Sequence, residues 1–284
     1  MAMSEIKSVG IVGAGTMGLG IAQVIALAGY KTFLFDVDDG VISQALKSIE
    51  KNLDKGIEKG KLDQQQKKDT LERIEVIEDI QLLKADLLIE AIVEKLDAKQ
   101  HVFSILENVN SETALLASNT SSIPITQIAS ALKYPERMIG VHFFNPAHIM
   151  KLVEIVSGAS TDPEVVAKAV SFIKTIGKEP VLAADSPGFI VNRVARHFYV
   201  EALQILEEDV AKVEEIDRLM EASGFKMGPF RLMDLIGVDT NLNVTKSMYN
   251  AFYKDAKFRP SRIQQQKVDA GHWGKKTGKG FYKY

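Results

Sequence analysis

Short β-branched runs alternate with helix-period stretches over most of this chain, and then the short runs stop. Val9 to Val12 reads as a buried strand. Met17, Ile21, Val24, Ile25 and Ala28 follow at steps of three and four, which predicts a helix ended by Gly29. Lys31 to Asp36 reads as a second strand. Gly40 to about Lys59 reads as a helix whose apolar face is Ile42, Ala45, Leu46, Ile49, Leu53 and Ile57. Ile74 to Ile77 and Asp86 to Ile92 fit strands, and Lys95 to Val109 fits an amphipathic helix. Ala114 to Ser118, Met138 to Phe143, Leu152 to Val156 and Glu179 to Ala183 complete the strands. Pro124 suits the first turn of a short helix. Thr161-Asp162-Pro163-Glu164 is a capping box opening a helix that runs to about Gly177.

From Phe189 onward only helical patterns appear, over 189–207, over 213–223 before Gly224, and over 238–253. A glycine-rich, irregular stretch, 271–282, follows. This order predicts an α/β fold: a doubly wound, Rossmann-type sheet over residues 1–185 with ligands at the strand C-termini, then a smaller all-α domain over 186–284.

Composition narrows the function without changing the fold. The 284 residues carry 35 basic and 37 acidic side chains, net −2, which argues against nucleic-acid or anionic-membrane partners. The absence of cysteine excludes disulfides, thiolate metal sites and a cysteine nucleophile, and fits a reducing compartment. The longest apolar runs fall far short of a membrane span, and Met-Ala-Met-Ser-Glu-Ile lacks the features of a signal peptide. A cytoplasmic protein is the expectation.

The first chemical signal is Gly13-x-Gly15-x-x-Gly18, with a strand before it and a helix behind it. Gly13 permits the sharp turn, Gly15 lets backbone approach a pyrophosphate, and Gly18 lets the helix pack near the sheet. The helix N-terminus offers N–H groups to phosphates. Asp36 lies 18 residues beyond Gly18, close to where an acid binds the adenosine ribose. Asp36, Asp38 and Asp39 would repel a 2′-phosphate and no arginine follows them, so NAD is expected rather than NADP.

A nicotinamide enzyme needs a proton-moving group, and histidine is the commonest near neutral pH. Of five histidines, His142 stands at a strand end; His101 and His197 sit in helices, His148 in a loop and His272 in the tail. Leu152, Glu154 and Val156 share one strand face, so Glu154 points into an apolar layer and needs a partner. A His142–Glu154 pair between neighbouring strands would satisfy it and fix the imidazole tautomer; the rival is a Glu154 facing solvent at a strand end. Asn119 and Ser121 follow another strand end, suited to a substrate oxygen or a nicotinamide ribose, while Ser122 reads as an N-cap of the Pro124 helix. Asn192 opens the first helix of the second domain. Lys47, Lys51, Lys55 and Lys59 form a cationic stripe with Glu50, Asp54 and Glu58 beside it. The stripe is either a self-paired, solvated face or a landing strip for a phosphate-bearing substrate.

Together these motifs resemble the L-3-hydroxyacyl-CoA dehydrogenases, within which the length is most like the bacterial 3-hydroxybutyryl-CoA enzymes. The resemblance rests on Gly-Ala-Gly-Thr-Met-Gly (13–18), Glu-Ala-Ile-Val-Glu (90–94), Ser-Asn-Thr-Ser-Ser (118–122) and His-Phe-Phe-Asn-Pro (142–146). It continues in Met-Lys-Leu-Val-Glu-Ile (150–155), Pro-Gly-Phe-Ile-Val-Asn-Arg (187–193), Met-Gly-Pro-Phe (227–230) and Lys-Thr-Gly-Lys-Gly-Phe-Tyr (276–282). It implies His142 as acid/base and Glu154 as its orienting partner, with Ser121 and Asn192 on the reacting oxygens. It implies an NAD site of Gly13, Gly15, Thr16, Met17, Gly18, Asp36, Glu90, Lys95, Asn119 and Asn145. It turns the stripe towards acyl-CoA, through Lys55 and Lys59 and then Lys51, and it implies a homodimer through the helical domain. His148 stands where many relatives have proline, which implies a differently shaped loop after Asn145-Pro146. Two other readings stand beside this one. A dehydrogenase of free hydroxy or sugar acids would not need the stripe, and a non-catalytic dinucleotide-binding relative would not need His142 with Glu154.

Overall fold

Strand and helix alternate from Ser8 to Ala184, and helices alone follow. The computed structural model describes residues 6–284, so the reading of the first five residues as leaderless lies outside it. The chain divides after Ser186 into two compact units.

The first unit is one eight-stranded sheet in the order β3-β2-β1-β4-β5-β6-β7-β8. Its strands are β1 (Ser8–Val12), β2 (Lys31–Phe35), β3 (Ile74–Val76), β4 (Leu87–Glu90), β5 (Leu115–Ser118), β6 (Met138–Phe143), β7 (Leu152–Ser157) and β8 (Glu179–Ala184). Neighbours from β3 through β6 pair in parallel, which needs a crossover each time. Helices α1 (Thr16–Leu27), α2 (Asp39–Glu58), α3 (Gln64–Glu72), α4 (Leu96–Val109) and α5 (Ile125–Ala129) lie in those connections. The link between β6 and β7 holds no helix, so β7 returns antiparallel; α6 (Pro163–Thr175) then carries the chain over to a β8 parallel to β7. The sheet is therefore mixed at this edge, and the start of β7 lies beside the end of β6. Val9, Ile11, Ile21, Ile25, Leu34 and Ile89 belong to the buried core.

Two local expectations change, and one helix is present that the sequence patterns above do not include. The glutamine run after Asp63 forms α3, opened by a capping box between Asp63 and Gln66; only Thr70 of it is buried, so it lacks the apolar period that would reveal a helix. The cap of α6 is Asp162, whose carboxylate accepts from Glu164 N. The Thr161 hydroxyl instead donates to Met138 O on the sheet. Ser122 does not cap α5. The Asp185 carboxylate does, accepting from Ile125 N at 2.7 Å and Thr126 N at 2.8 Å.

The second unit contains α7 (Val191–Glu207), α8 (Val213–Ala222), α9 (Pro229–Ile236), α10 (Val238–Ala251) and α11 (Arg262–Asp269). The short α9 and α11 do not stand out in the sequence. Tyr199, Leu203, Ile216, Phe230 and Met233 form its core. The final stretch is irregular but not loose. It folds over buried Asp234, whose carboxylate accepts from Phe281 N and Tyr282 N at 2.9 Å each. A Cβ at Gly280 would overlap that carboxylate, which is why glycine stands there.

Candidate active site

The glycine loop joins β1 to α1 with little room to spare. Gly13 has φ +99°, and a Cβ there would come within 2.6 Å of Ala91 O; a Cβ at Gly18 would overlap the Gly13 carbonyl. Gly15 has nothing within 4 Å of its missing Cβ, so its open side is available to a ligand. No side chain caps α1 and no acid lies in its first turn, so the N–H groups at Thr16 and Met17 face outward into an unmet positive end. Asp36, just past β2, is held by the same loop: its carboxylate accepts from Ala14 N at 2.7 Å and Asp38 N at 3.1 Å. A cavity of about 680 Å³ opens here, bounded by Gly13, Gly15, Asp36, Val37, Ile80 and His101 among others. Narrow glycine turn, uncapped helix and anchored acid fit a dinucleotide on this chain's own geometry.

Beside it lies a network the sequence reading missed. Glu90 ends β4 fully buried. Its carboxylate accepts from Lys99 Nζ at 2.6 Å, Ser118 Oγ at 2.6 Å and Ile92 N at 2.8 Å. Glu90 therefore braces the site from beneath rather than lining it. The ammonium in this network belongs to Lys99. Lys95, the expected cofactor contact, is exposed at the N-cap of α4. Lys99 shares the inward face of α4 with Phe103 and Leu106, a position read as apolar in a periodic helix, and a buried Glu90 demanded such a partner. Lys99 also pairs with Glu94 at 3.1 Å. One Glu94 oxygen gathers the next turn, accepting from Thr120 Oγ1 at 2.7 Å and Ser121 N at 2.9 Å. Burial pushes the Glu94 carboxyl up, but the Lys99 charge and the Thr120 and Ser121 hydrogen bonds outweigh it and hold it below the ordinary glutamate range. Asn119 Oδ1 accepts from Phe143 N at 2.8 Å, tying the end of β5 to the end of β6.

His142 lies at that end. It is buried, and the β6–β7 register sets it directly opposite Glu154. Glu154, 1% exposed, has Oε2 2.7 Å from His142 Nδ1, so the solvent-facing alternative is overturned. The Phe144 ring packs against the imidazole at 4.5 Å between centroids. Exposed Asn145 follows, then a turn at 146–150 whose Ala147 and Met150 carbonyls each accept from buried Lys178 Nζ at 2.7 Å. Burial, with Lys178 and Lys55 nearby, holds the His148 imidazole below its ordinary range, so this loop lies within electrostatic reach of α2.

The stripe on α2 is not self-paired. Lys67 of α3 takes both Glu50, at 3.2 Å, and Asp54, at 2.7 Å. Lys47, Lys51, Lys55 and Lys59 are exposed and make no ion pair among the described residues. The loops after β1, β2, β4, β5 and β6 thus gather the expected residues of the first unit along one rim of the sheet, as an open α/β sheet directs. Asn192 lies in the first turn of α7, in the second unit. Among the described residues no acid/histidine cluster could hold a metal ion, and no helix is long and apolar enough to cross a membrane.

Comparison with known proteins agrees with this geometry. Residues 8–186 match the model of the 3-hydroxyacyl-CoA dehydrogenase NAD-binding domain, and residues 188–284 match that of the C-terminal domain. The chain is 46% identical over 282 residues to a "3-hydroxyadipyl-CoA dehydrogenase" of Escherichia coli, covering 99% of this chain but 59% of that longer protein. It is 40% identical to a "probable 3-hydroxybutyryl-CoA dehydrogenase" of Bacillus subtilis, covering 99% of this chain and 98% of the relative. The crystal structure of (S)-3-hydroxybutyryl-CoA dehydrogenase from Ralstonia eutropha superposes with a TM-score of 0.94 at 39% identity, over 99% of each chain.

Proposed function

The chain belongs to the 3-hydroxyacyl-CoA dehydrogenase family, and on that premise we propose that it interconverts (S)-3-hydroxyacyl-CoA and 3-ketoacyl-CoA with NAD, with 3-hydroxybutyryl-CoA and acetoacetyl-CoA as the short-chain pair. The observation that carries the catalytic assignment is the buried His142–Glu154 pair at the end of β6. Bound NAD supplies the acceptor for the hydrogen leaving C3. The protein supplies the rest. Nδ1 of His142 meets Glu154, and the other ring nitrogen takes the 3-hydroxyl proton. The ring becomes imidazolium, and the carboxylate it touches stabilises that charge. In the reducing direction the same nitrogen returns the proton. Ser121, set by Glu94, and Asn192 hold the reacting oxygens. The unpaired lysines of α2, Lys55 and Lys59 above all, receive the CoA phosphates.

A second reading of the acyl group is favoured by Arg196. This side chain is 3% exposed and lies one turn beyond Asn192 on the same face of α7. Its Nη1 donates to Asn241 O, Asn241 Oδ1 and Thr245 Oγ1, and no carboxylate pairs with it among the described residues. Burial pushes the guanidinium down to about 10. The guanidinium also lies over the Tyr199 ring, but a buried cation met by dipoles and a ring alone still lacks a counter-charge, which a dicarboxylic acyl chain such as 3-hydroxyadipyl would supply.

One substrate panel tests both readings. NADH oxidation is followed with acetoacetyl-CoA, free acetoacetate, 3-ketohexanoyl-CoA and 3-ketoadipyl-CoA, and with NADPH in place of NADH. Turnover of thioesters but not free acid, with NADH only, is expected. Failure of every thioester would overturn the dehydrogenase. A 3-ketoadipyl rate no better than that of 3-ketohexanoyl would remove the Arg196 reading alone.

We also infer a cytoplasmic homodimer associating through the helical unit. What supports the association is the set of exposed apolar side chains there, among them Val194, Leu219, Phe225, Leu235 and Ile236.

A further inference from the structure

His101 has no part in the acid–base chemistry, yet its side chain lines the cavity beside the glycine loop. Of the cavity's side chains only Asp36 and His101 are polar; the rest of the wall is aliphatic or aromatic, including Val37, Ile80, Val102 and Ile105. Asp36 is pinned to Ala14 N in the glycine loop, so it marks the end of the cavity that meets ribose and phosphate. The apolar remainder suits a flat heteroaromatic base, but a base has a hydrogen-bonding edge that an apolar wall leaves unsatisfied. The unprotonated nitrogen of a neutral imidazole can accept from an amino group at such an edge. Its support is rigid. The inward face of α4 is fixed by buried Lys99, Phe103 and Leu106, which turns the neighbouring face with His101, Val102 and Ile105 towards the cavity.

We propose that His101 reads the adenine of the dinucleotide, hydrogen-bonding its 6-amino edge and setting the preference for adenine over other purines. This rests on the dinucleotide reading of the cavity. The test is direct binding, by NADH fluorescence without acyl substrate, of NADH and of its deaminated analogue, whose hypoxanthine replaces the 6-amino donor with an acceptor and protonates N1. Wild-type protein is expected to bind NADH about 3–10-fold more tightly than the analogue, the worth of one hydrogen bond. His101→Leu should bring that ratio close to one by weakening NADH. His101→Gln, which keeps a donor and an acceptor, should restore part of it. A wild-type ratio of one, or the same ratio in His101→Leu, would overturn the assignment. Loss of both dinucleotides from wild-type protein would instead overturn the dinucleotide site itself. His101 is exposed on its helix, so these variants test recognition rather than folding.

Discussion

His142 and Glu154 are a pair in which each member makes the other tolerable. A carboxylate 1% exposed on a strand covered on both sides by its neighbours is costly unless a cation or donor meets it, and an imidazole that must become charged needs the carboxylate in place beforehand. His142→Gln should lower kcat by roughly 10²–10⁴-fold, the span of general acid–base help, with NADH affinity unchanged by fluorescence titration. Glu154→Gln keeps a hydrogen-bond acceptor but no charge, so it should cost kcat through the imidazolium while leaving acyl-CoA KM near wild type. A kcat unmoved in either variant removes that residue from the chemistry. This pair was legible from alternation alone, because Glu154 interrupts an otherwise apolar strand face. Lys99 was not, since a lysine in a surface helix reads as solvated until the fold shows which face is inward and that Glu90 waits beneath it.

At the scale of the element, α2 illustrates how one neighbour decides a function. Its acids looked sufficient to neutralise its lysines until α3, a helix without an apolar period, delivered Lys67 to both Glu50 and Asp54. The lysine face is left positive and solvent-exposed. Charge reversal at Lys55 or Lys59 should raise KM for acetoacetyl-CoA at least two- to fivefold, a surface ion pair's worth each, and added salt should shrink the effect. The KM for acetoacetyl-pantetheine, which lacks the nucleotide phosphates, should not move; if it rises equally, the stripe is not a phosphate site. The terminal stretch makes a second case. Burial and the hydrogen bond to the Asp217 carboxylate push the Tyr282 phenol well above its usual range. Burial and the Asp234 charge push Tyr284 up to about 12. A raised folded pKa means stability present below pH ~10 and lost as pH climbs through the folded values. Alkaline titration followed by phenolate absorbance checks this order. Tyr282 and Tyr284 should ionise late and together with loosening of the tail, and Asp217→Asn should bring Tyr282 forward.

For the whole molecule, the helical unit buries a small core and leaves large apolar side chains outside, so association is the expected way to cover them. Sedimentation at micromolar concentration should give a species near twice 31.3 kDa; a monomer there would remove the dimer. The sequence by itself determined what local physics controls. The alternation of strand and helix, the glycine turn, the acid after β2 and the histidine at the end of β6 depend on backbone period and on sterics within a few residues, and these are written in consecutive positions. Only the tertiary structure decided which distant groups meet. It set Lys99 under Glu90, Asp185 on the start of α5, Asp234 inside the glycine-rich tail, and His101 on the cavity wall. A buried charge or polar edge must find a partner, but nothing in the spacing of a chain says which of several far residues the fold will bring to it.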